Sequence, residues 1–369
     1  MKLRTMPMNS MLKRNLPKCI FVMPTKSSFM EVDHTILKTY YSVIPVYLAQ
    51  SIKRSAYLLS LLRLIITLVI HPKVKTSFVW FADYHAFITV LVNNILNRKT
   101  IVFIGGYDAV FYPELKMGVH YKPLRSFCNK YCLKHADLII ANHSALIKSQ
   151  NYYYIPSGHA DGILSFIPQL KTPTRILYNG IQFKDEPLLE PLRSQKILTI
   201  GLTPRKEDFI NKGYDLLIEI AKRRPELEFT FVGIPECWLP ELESKYHFSQ
   251  LPNIELLSWV DHDKLNELYL NSAVYVQASI SEGMPNSLIE AMYYGCIPVG
   301  SNVAGIPTVI STYGIIVYQR DSIELEIAIN EALQITDRKS IHAYIAKNFS
   351  LETRQNKMAT ILQEFDLLS

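Results

Sequence analysis

Two glutamates eight positions apart, Glu282 and Glu290, bracket the stretch of this chain best suited to chemistry. Gly283, Met284, Pro285, Asn286 and Ser287 follow the first glutamate, and the apolar run 273–278 precedes it. Pro285 suits the first position of a helix, because it has no N–H to leave unpaired there. The pattern predicts a strand, a loop carrying Glu282, and a helix carrying Glu290 about one and a half turns in. Helical side chains lean toward the N-terminus, so Glu290 is expected to reach back to the mouth that Glu282 lines. The N–H groups of Met284, Asn286 and Ser287 have no acceptor inside the helix and make an anion site. Two acceptors for sugar hydroxyls around such a helix end describe a pocket for a nucleotide diphosphate sugar.

The run from Glu282-Gly283-Met284-Pro285 to Glu290-Ala291-Met292-Tyr293-Tyr294-Gly295-Cys296-Ile297-Pro298-Val299 resembles the donor-site signature of retaining glycosyltransferases of family 4. The resemblance covers most of residues 100–369. It implies the GT-B fold: α/β, two Rossmann-like domains facing across a cleft, with a C-terminal helix that crosses back to the first domain. It assigns donor-sugar hydroxyls to Glu282 and ribose hydroxyls to Glu290. Thr199-Ile200-Gly201 through Lys212-Gly213-Tyr214 resembles the start of the family's second domain, where an Arg and a Lys grip the donor diphosphate. Lys212 matches; Leu202 fills the usual Arg place, which leaves Arg205 as the candidate and Lys206 as its rival. Without a metal, two cations must offset the charge growing on the leaving diphosphate. Gly283, Met284, Asn286 and Ser287 complete that site.

By the same resemblance, Gly233 and Val260 lie beside the nucleotide. The segment from Phe103 to Ala109 is similar to the acceptor-side and catalytic loop, with Gly105 and Gly106 for close backbone approach. Many relatives carry a His there; this chain offers Asp108 as the catalytic-side group, with His85 a second candidate for the same mouth. Asn179-Gly180 resembles the strand end before the linker, and Phe349-Ser350-Leu351-Glu352 the start of the crossing helix. The implied activity is retaining transfer of a hexose from a nucleotide diphosphate sugar to a growing, lipid-diphosphate-linked glycan in bacterial surface polysaccharide assembly. No metal or other cofactor is implied. The alternatives are a non-catalytic partner subunit of a glycosyltransferase heteromer, and an enzyme of the same fold acting on a soluble sugar or sugar phosphate.

These residues need two α/β domains to hold them. Strands are expected at 19–23, 77–81, 100–104, 138–141 and 176–178, then at 193–200, 228–232, 254–257, 274–277, 297–300 and 315–317. Helices are expected at 85–96, 124–135 and 214–223. Short apolar runs alternating with amphipathic stretches argue for parallel sheets. The domains are placed at 1–185, 186–345 and 346–369, the boundary falling in the Pro- and charge-containing stretch 183–194.

Length fits two domains, and 49% hydrophobic with 20% charged residues in 369 fits a globular chain with a sizeable core. Charge is divided: residues 1–190 hold 23 Lys and Arg against 10 Asp and Glu, and residues 191–369 hold 16 against 23. A basic first half suits an anionic membrane surface or a lipid-linked diphosphate. It has no compact module of basic and aromatic residues for nucleic acid. No G-x-G-x-x-G follows the first strand, which weighs against a dinucleotide. Cysteines at 19, 128, 132, 237 and 296 are odd in number, as in a reducing cytoplasm. The apolar run 19–23 is too short for a signal peptide. The most apolar segment, 57–70, contains Arg63 and is too short to span a bilayer. It reads as a buried helix, or as an interfacial one with Lys53, Arg54 and Arg63 at the headgroups. The expected location is the cytoplasm, peripheral on the inner face of the plasma membrane.

Overall fold

A computed structural model describes residues 16–48, 54–183, 186–189 and 195–368. The first domain holds strands β1 (Lys18–Met23), β2 (Ser42–Tyr47), β3 (Thr76–Trp80), β4 (Lys99–Ile104), β5 (Leu138–Ala141), β6 (Ser149–Asn151), β7 (His159–Asp161) and β8 (Thr174–Ile176). The second holds β9 (Lys196–Ile200), β10 (Glu228–Val232), β11 (Ile254–Leu257), β12 (Val274–Gln277), β13 (Ile297–Ser301) and β14 (Ile315–Val317). Two six-stranded sheets result, ordered β2-β1-β3-β4-β5-β8 and β11-β10-β9-β12-β13-β14. Every pairing in both is parallel; β6 and β7 form a separate antiparallel hairpin.

The helices of the first domain are α1 (Ser28–Leu37), α2 (Arg54–Ile70), α3 (Tyr84–Ile95), α4 (Pro123–His135) and α5 (Ile163–Phe166). Those that follow are α6 (Lys206–Asn211), α7 (Tyr214–Arg223), α8 (Leu239–Tyr246), α9 (His262–Asn271), α10 (Asn286–Tyr293), α11 (Ile306–Ile310), α12 (Ser322–Ala332), α13 (Arg338–Asn348) and α14 (Leu351–Glu364). Parallel strands are covered on both faces, which is why they read as continuous apolar runs. Along β1, Ile20 and Val22 pack toward α2, α3 and α4, while Cys19, Phe21 and Met23 pack toward α1. The crossing helix α14 joins that second face: Met358, Ile361 and Leu362 share a core with Phe21, Phe78 and Trp80. Arg354 fixes it there, its Nε 2.6 Å and Nη2 2.9 Å from the two oxygens of Asp33, both residues buried. Trp80 Nε1 donates to the same carboxylate at 2.9 Å.

Strand β2 was not expected. Pro45 interrupts its pattern, and β2 tolerates it because it is the edge strand and pairs with β1 alone. Strand β8 lies two residues earlier than expected, because β5 ends at Ala141 opposite Ile176. Residues 184–185 and 190–194 of the expected boundary, with Arg193 and Ser194 of the expected strand, lie outside the described residues. The segment 57–70 is not a buried helix. Ser60, Leu64 and Leu68 of α2 are buried at four-residue spacing, and Tyr57 and Leu61 pack half-buried against the same core, which leaves the opposite side of the helix exposed. Lys53 lies outside the described residues. No described helix is long and apolar enough to cross a membrane.

Candidate functional site

Glu282 sits in the loop between β12 and α10. Its Oε1 accepts from Lys212 Nζ, from Ser279 Oγ at 3.0 Å and from Gln277 Nε2 at 3.1 Å. Three donors therefore fix the carboxylate before any ligand arrives. Lys212 closes α6 and precedes Gly213, whose φ of +76 starts α7 in a left-handed conformation. A Cβ on Gly213 would lie 2.6 Å from the Ala278 carbonyl, so the start of α7 is pressed against the end of β12. Gly201, at the end of β9, gives the Lys212 stem room: a Cβ there would meet Lys212 Cδ at 2.9 Å. Helix α10 begins at Asn286 with Pro285 at its N-cap, one residue later than expected.

Lys212 and Glu282 line a cavity of about 430 Å³ together with Gly105, Gly106 and Tyr107 of the first domain and with Leu202 and Arg205 of the second. The expected Gly105–Gly106 loop thus faces the expected Lys–Glu pair. Arg205 belongs to this cavity and Lys206 does not. Lys206 Nζ lies 2.6 Å from Glu241, beside Trp238 on the far side of α6. The Arg205 guanidinium is paired with Asp208, and its Nη1 donates across the cleft to the Lys116 carbonyl at 2.8 Å.

Glu290 does not share that mouth. It lines a second interdomain cavity of about 250 Å³ with Phe29, Gly180, Gln182, His262 and Asn286. Tyr269 OH donates to its Oε2 at 3.0 Å. Burial raises its pKa to about 7. The lobes touch at the helix start between the two acids. A Cβ on Gly283 would lie 2.1 Å from the Gly105 carbonyl, and Asn179 Nδ2 donates to Met284 O at 3.0 Å and Asn286 Oδ1 at 2.9 Å. The backward lean of Glu290 is real, but it is directed toward α9, not across the tip of α10. Ser287 turns its hydroxyl inward, 2.8 Å from Tyr275 OH.

Asp108 is a correction. It is buried, and its carboxylate accepts the N–H groups of Ala82, Gly105 and Gly106 at 3.0–3.1 Å. It ties the Gly105–Gly106 loop down from beneath and presents no free oxygen to the cleft. His85 is likewise buried, Nε2 2.7 Å from the Trp80 carbonyl. Near the expected nucleotide, Gly233 O accepts from Thr203 N–H at 3.0 Å, and Val260 lies in the loop before α9. Three site residues went unread, Gln277 and Ser279 behind Glu282 and Tyr269 behind Glu290, while Asn179 was read as a strand end and not as a contact across the cleft. Gln277 had a visible signal, a polar residue closing an apolar strand.

Two parallel-sheet α/β domains across a cleft, with the last helix returned to the first domain, form the GT-B architecture of glycosyltransferases. Solved structures agree along the chain. A sucrose-phosphate synthase from Thermosynechococcus elongatus aligns at TM-score 0.71 and 15% identity over 95% of this chain and 100% of its own. An Anabaena protein, HepE, solved with UDP-glucose, aligns at TM-score 0.68 and 15% identity over 94% and 99%. Residues 206–349 match the family described as glycosyl transferases group 1. The matched stretch lies in the second domain and includes Lys212, Glu282 and Glu290. An uncharacterized 41.2 kDa protein of the Klebsiella pneumoniae cps region is 24% identical over 61% of this chain and 58% of its own. A phosphatidylinositol N-acetylglucosaminyltransferase subunit of Schizosaccharomyces pombe is 28% identical over 32% of this chain and 27% of its own. The matches thus span less than two thirds of these relatives' lengths.

Proposed function

We propose that this chain is a retaining glycosyltransferase of family 4 type that moves a hexose from a nucleotide diphosphate sugar to a glycan hydroxyl. The observation that carries it is the Lys212–Glu282 pair beside the start of α10, facing the Gly105–Gly106 loop. As the bond from the anomeric carbon to the diphosphate breaks, Lys212, Arg205 and the N–H groups of Met284, Asn286 and Ser287 offset the charge left on the phosphates. The acceptor oxygen bonds to the same face of that carbon, and its proton passes to the departing diphosphate. Glu282 holds donor-sugar hydroxyls and Glu290 the ribose. In this assignment no metal is needed, because cations and helix N–H groups supply the counter-charge.

The acceptor proposed is a lipid-diphosphate-linked glycan of bacterial surface polysaccharide assembly, met at the inner face of the plasma membrane. The basic first half supports it, as do the names of the two relatives, one from a cps region and one a phosphatidylinositol glycosyltransferase subunit. A panel of nucleotide sugars tested for thermal stabilisation of the purified protein identifies the donor. With that donor, Lys212→Ala and Glu290→Ala are each expected to lower transfer about a hundredfold or more. Undiminished turnover in both variants removes the assignment.

A further inference from the structure

Helices α2, α3 and α4 lie side by side over one face of the first sheet. Their inner sides are ordinary core. Their outer sides are not an ordinary solvated surface. Leu58, Leu62, Ile66 and Ile70 repeat every fourth residue along α2 and stand exposed; Ile95 of α3 and Phe127 of α4 continue the apolar surface, Ile95 at 75% exposure. Soluble surfaces seldom gather so many large apolar side chains in one place.

Charge tells what covers this face. None of the three helices contains an Asp or a Glu. Four exposed cations stand on and around them, Arg63 within α2, Lys73 just past its end, Lys122 at the start of α4 and Lys134 at its end, against one exposed acid, Asp137, which follows α4 and accepts the Thr100 N–H at 2.7 Å. None of these four cations makes an ion pair among the described residues. An apolar face whose rim carries four unpaired cations and a single acid is complementary to a surface that is apolar in depth and anionic at its boundary. We infer that the outward face of α2, α3 and α4 docks this chain on an anionic lipid bilayer.

The docking face adjoins the candidate cleft. Arg125, on the first turn of α4, lies 5.0 Å over the Tyr107 ring and donates to Tyr107 OH at 3.2 Å. Tyr107 in turn lines the cavity that holds Glu282. A glycan tethered in the same leaflet is thereby brought to the acceptor side of the cleft. This names the membrane partner of the reading above and rests on that reading only for the tethered acceptor; docking itself is measured without turnover.

The test is co-flotation of the full chain with phosphatidylcholine vesicles, with and without about one third phosphatidylglycerol. The wild-type protein is expected to float with the anionic vesicles and to be released progressively as salt is raised. The double variant Leu62→Glu, Ile66→Glu is expected to bind them about tenfold more weakly or worse, with an unchanged circular dichroism spectrum and unchanged stabilisation by the donor nucleotide sugar. Failure of the wild type to float at low salt overturns the inference, as does equal flotation of the double variant. A self-associating chain that the same substitutions make monomeric, without flotation, assigns the face to a second copy and also overturns it. Flotation without any glycosyl transfer leaves the docking face standing and removes the function proposed above.

Discussion

At the scale of single residues, the two glutamates of the signature differ in their surroundings and so in their behaviour. Glu282 is held by Lys212, Gln277 and Ser279. Among the described residues Glu290 has one hydroxyl donor, Tyr269, and no paired cation. Burial takes Glu290 from 4.5 to about 7. Between those two values the folded chain keeps a proton that the unfolded chain gives up. Stability therefore falls as pH rises through that window, and the loss is complete above the upper value. Glu290→Gln has no proton to lose. Its stability relative to wild type is expected to improve steadily from about pH 5 to about pH 8, read as the difference in urea midpoints. A difference that stays constant with pH would show the carboxyl to be solvated in solution. The residue types of this site were legible in the sequence, because a Glu, a glycine turn and a helix start recur at fixed spacing. Which cavity each acid opens on was not, since that depends on Gly105 and Asn179 arriving from the other domain. Asp108 was misread for a related reason: an Asp after two glycines has the composition of a ligand loop, and only the fold reveals three backbone N–H groups converging on it.

At the scale of elements, the parallel strands were legible wherever both faces are buried. Strands β10, β12 and β13 of the second sheet show this, each placed within a residue of its expected ends, and the half-buried edge strands β11 and β14 were placed as closely because their runs are still apolar. Strand β2 was hidden by Pro45, which breaks its run and is tolerated because β2 is an edge strand. Helix α2 was legible as a helix, but its apolar composition all round left open whether it was buried or interfacial. The approach of β9 to α6 has a consequence for the site. Gly201 is the surface over which the Lys212 stem passes to reach Glu282. In Gly201→Ala the new methyl meets the flexible part of a lysine, not backbone. The expected cost in stability is under about 1 kcal/mol, because the lysine can swing aside. Displacing its ammonium from the cleft is expected to lower transfer nonetheless by about tenfold or more. Steady-state kinetics beside a denaturation curve separates the two effects. A variant that loses stability and keeps its rate would deny Lys212 its place at the diphosphate.

At the scale of the whole molecule, the two domains are joined by more than a linker and a returning helix. The hairpin of β6 and β7 leaves the first domain and enters the second. Tyr153, at its turn, is buried among core residues of the second domain, and its carbonyl accepts from Arg320 N–H at 3.0 Å. Asn151 Nδ2 donates to the Ile280 carbonyl at 2.7 Å, two residues before Glu282, and to Tyr112 OH at 2.8 Å. Tyr112 OH donates to Asp161 on the other strand of the hairpin at 2.6 Å. A loop of the first domain is thereby fastened beside the signature loop of the second, and one domain cannot unfold without stripping an aromatic residue from the core of the other. Calorimetry of the wild-type chain is expected to show a single cooperative transition. Tyr153→Ala removes the inserted ring, at a cost of about 3–5 kcal/mol for a buried aromatic. Because the loss falls on the second domain and on the joint, the transition is expected to divide, the second domain melting first. Two transitions already present in the wild type would show that the hairpin does not couple the domains. A hinge for closing on substrate would then have to be sought at the Asn179–Met284 contact, where the lobes meet at the start of α10.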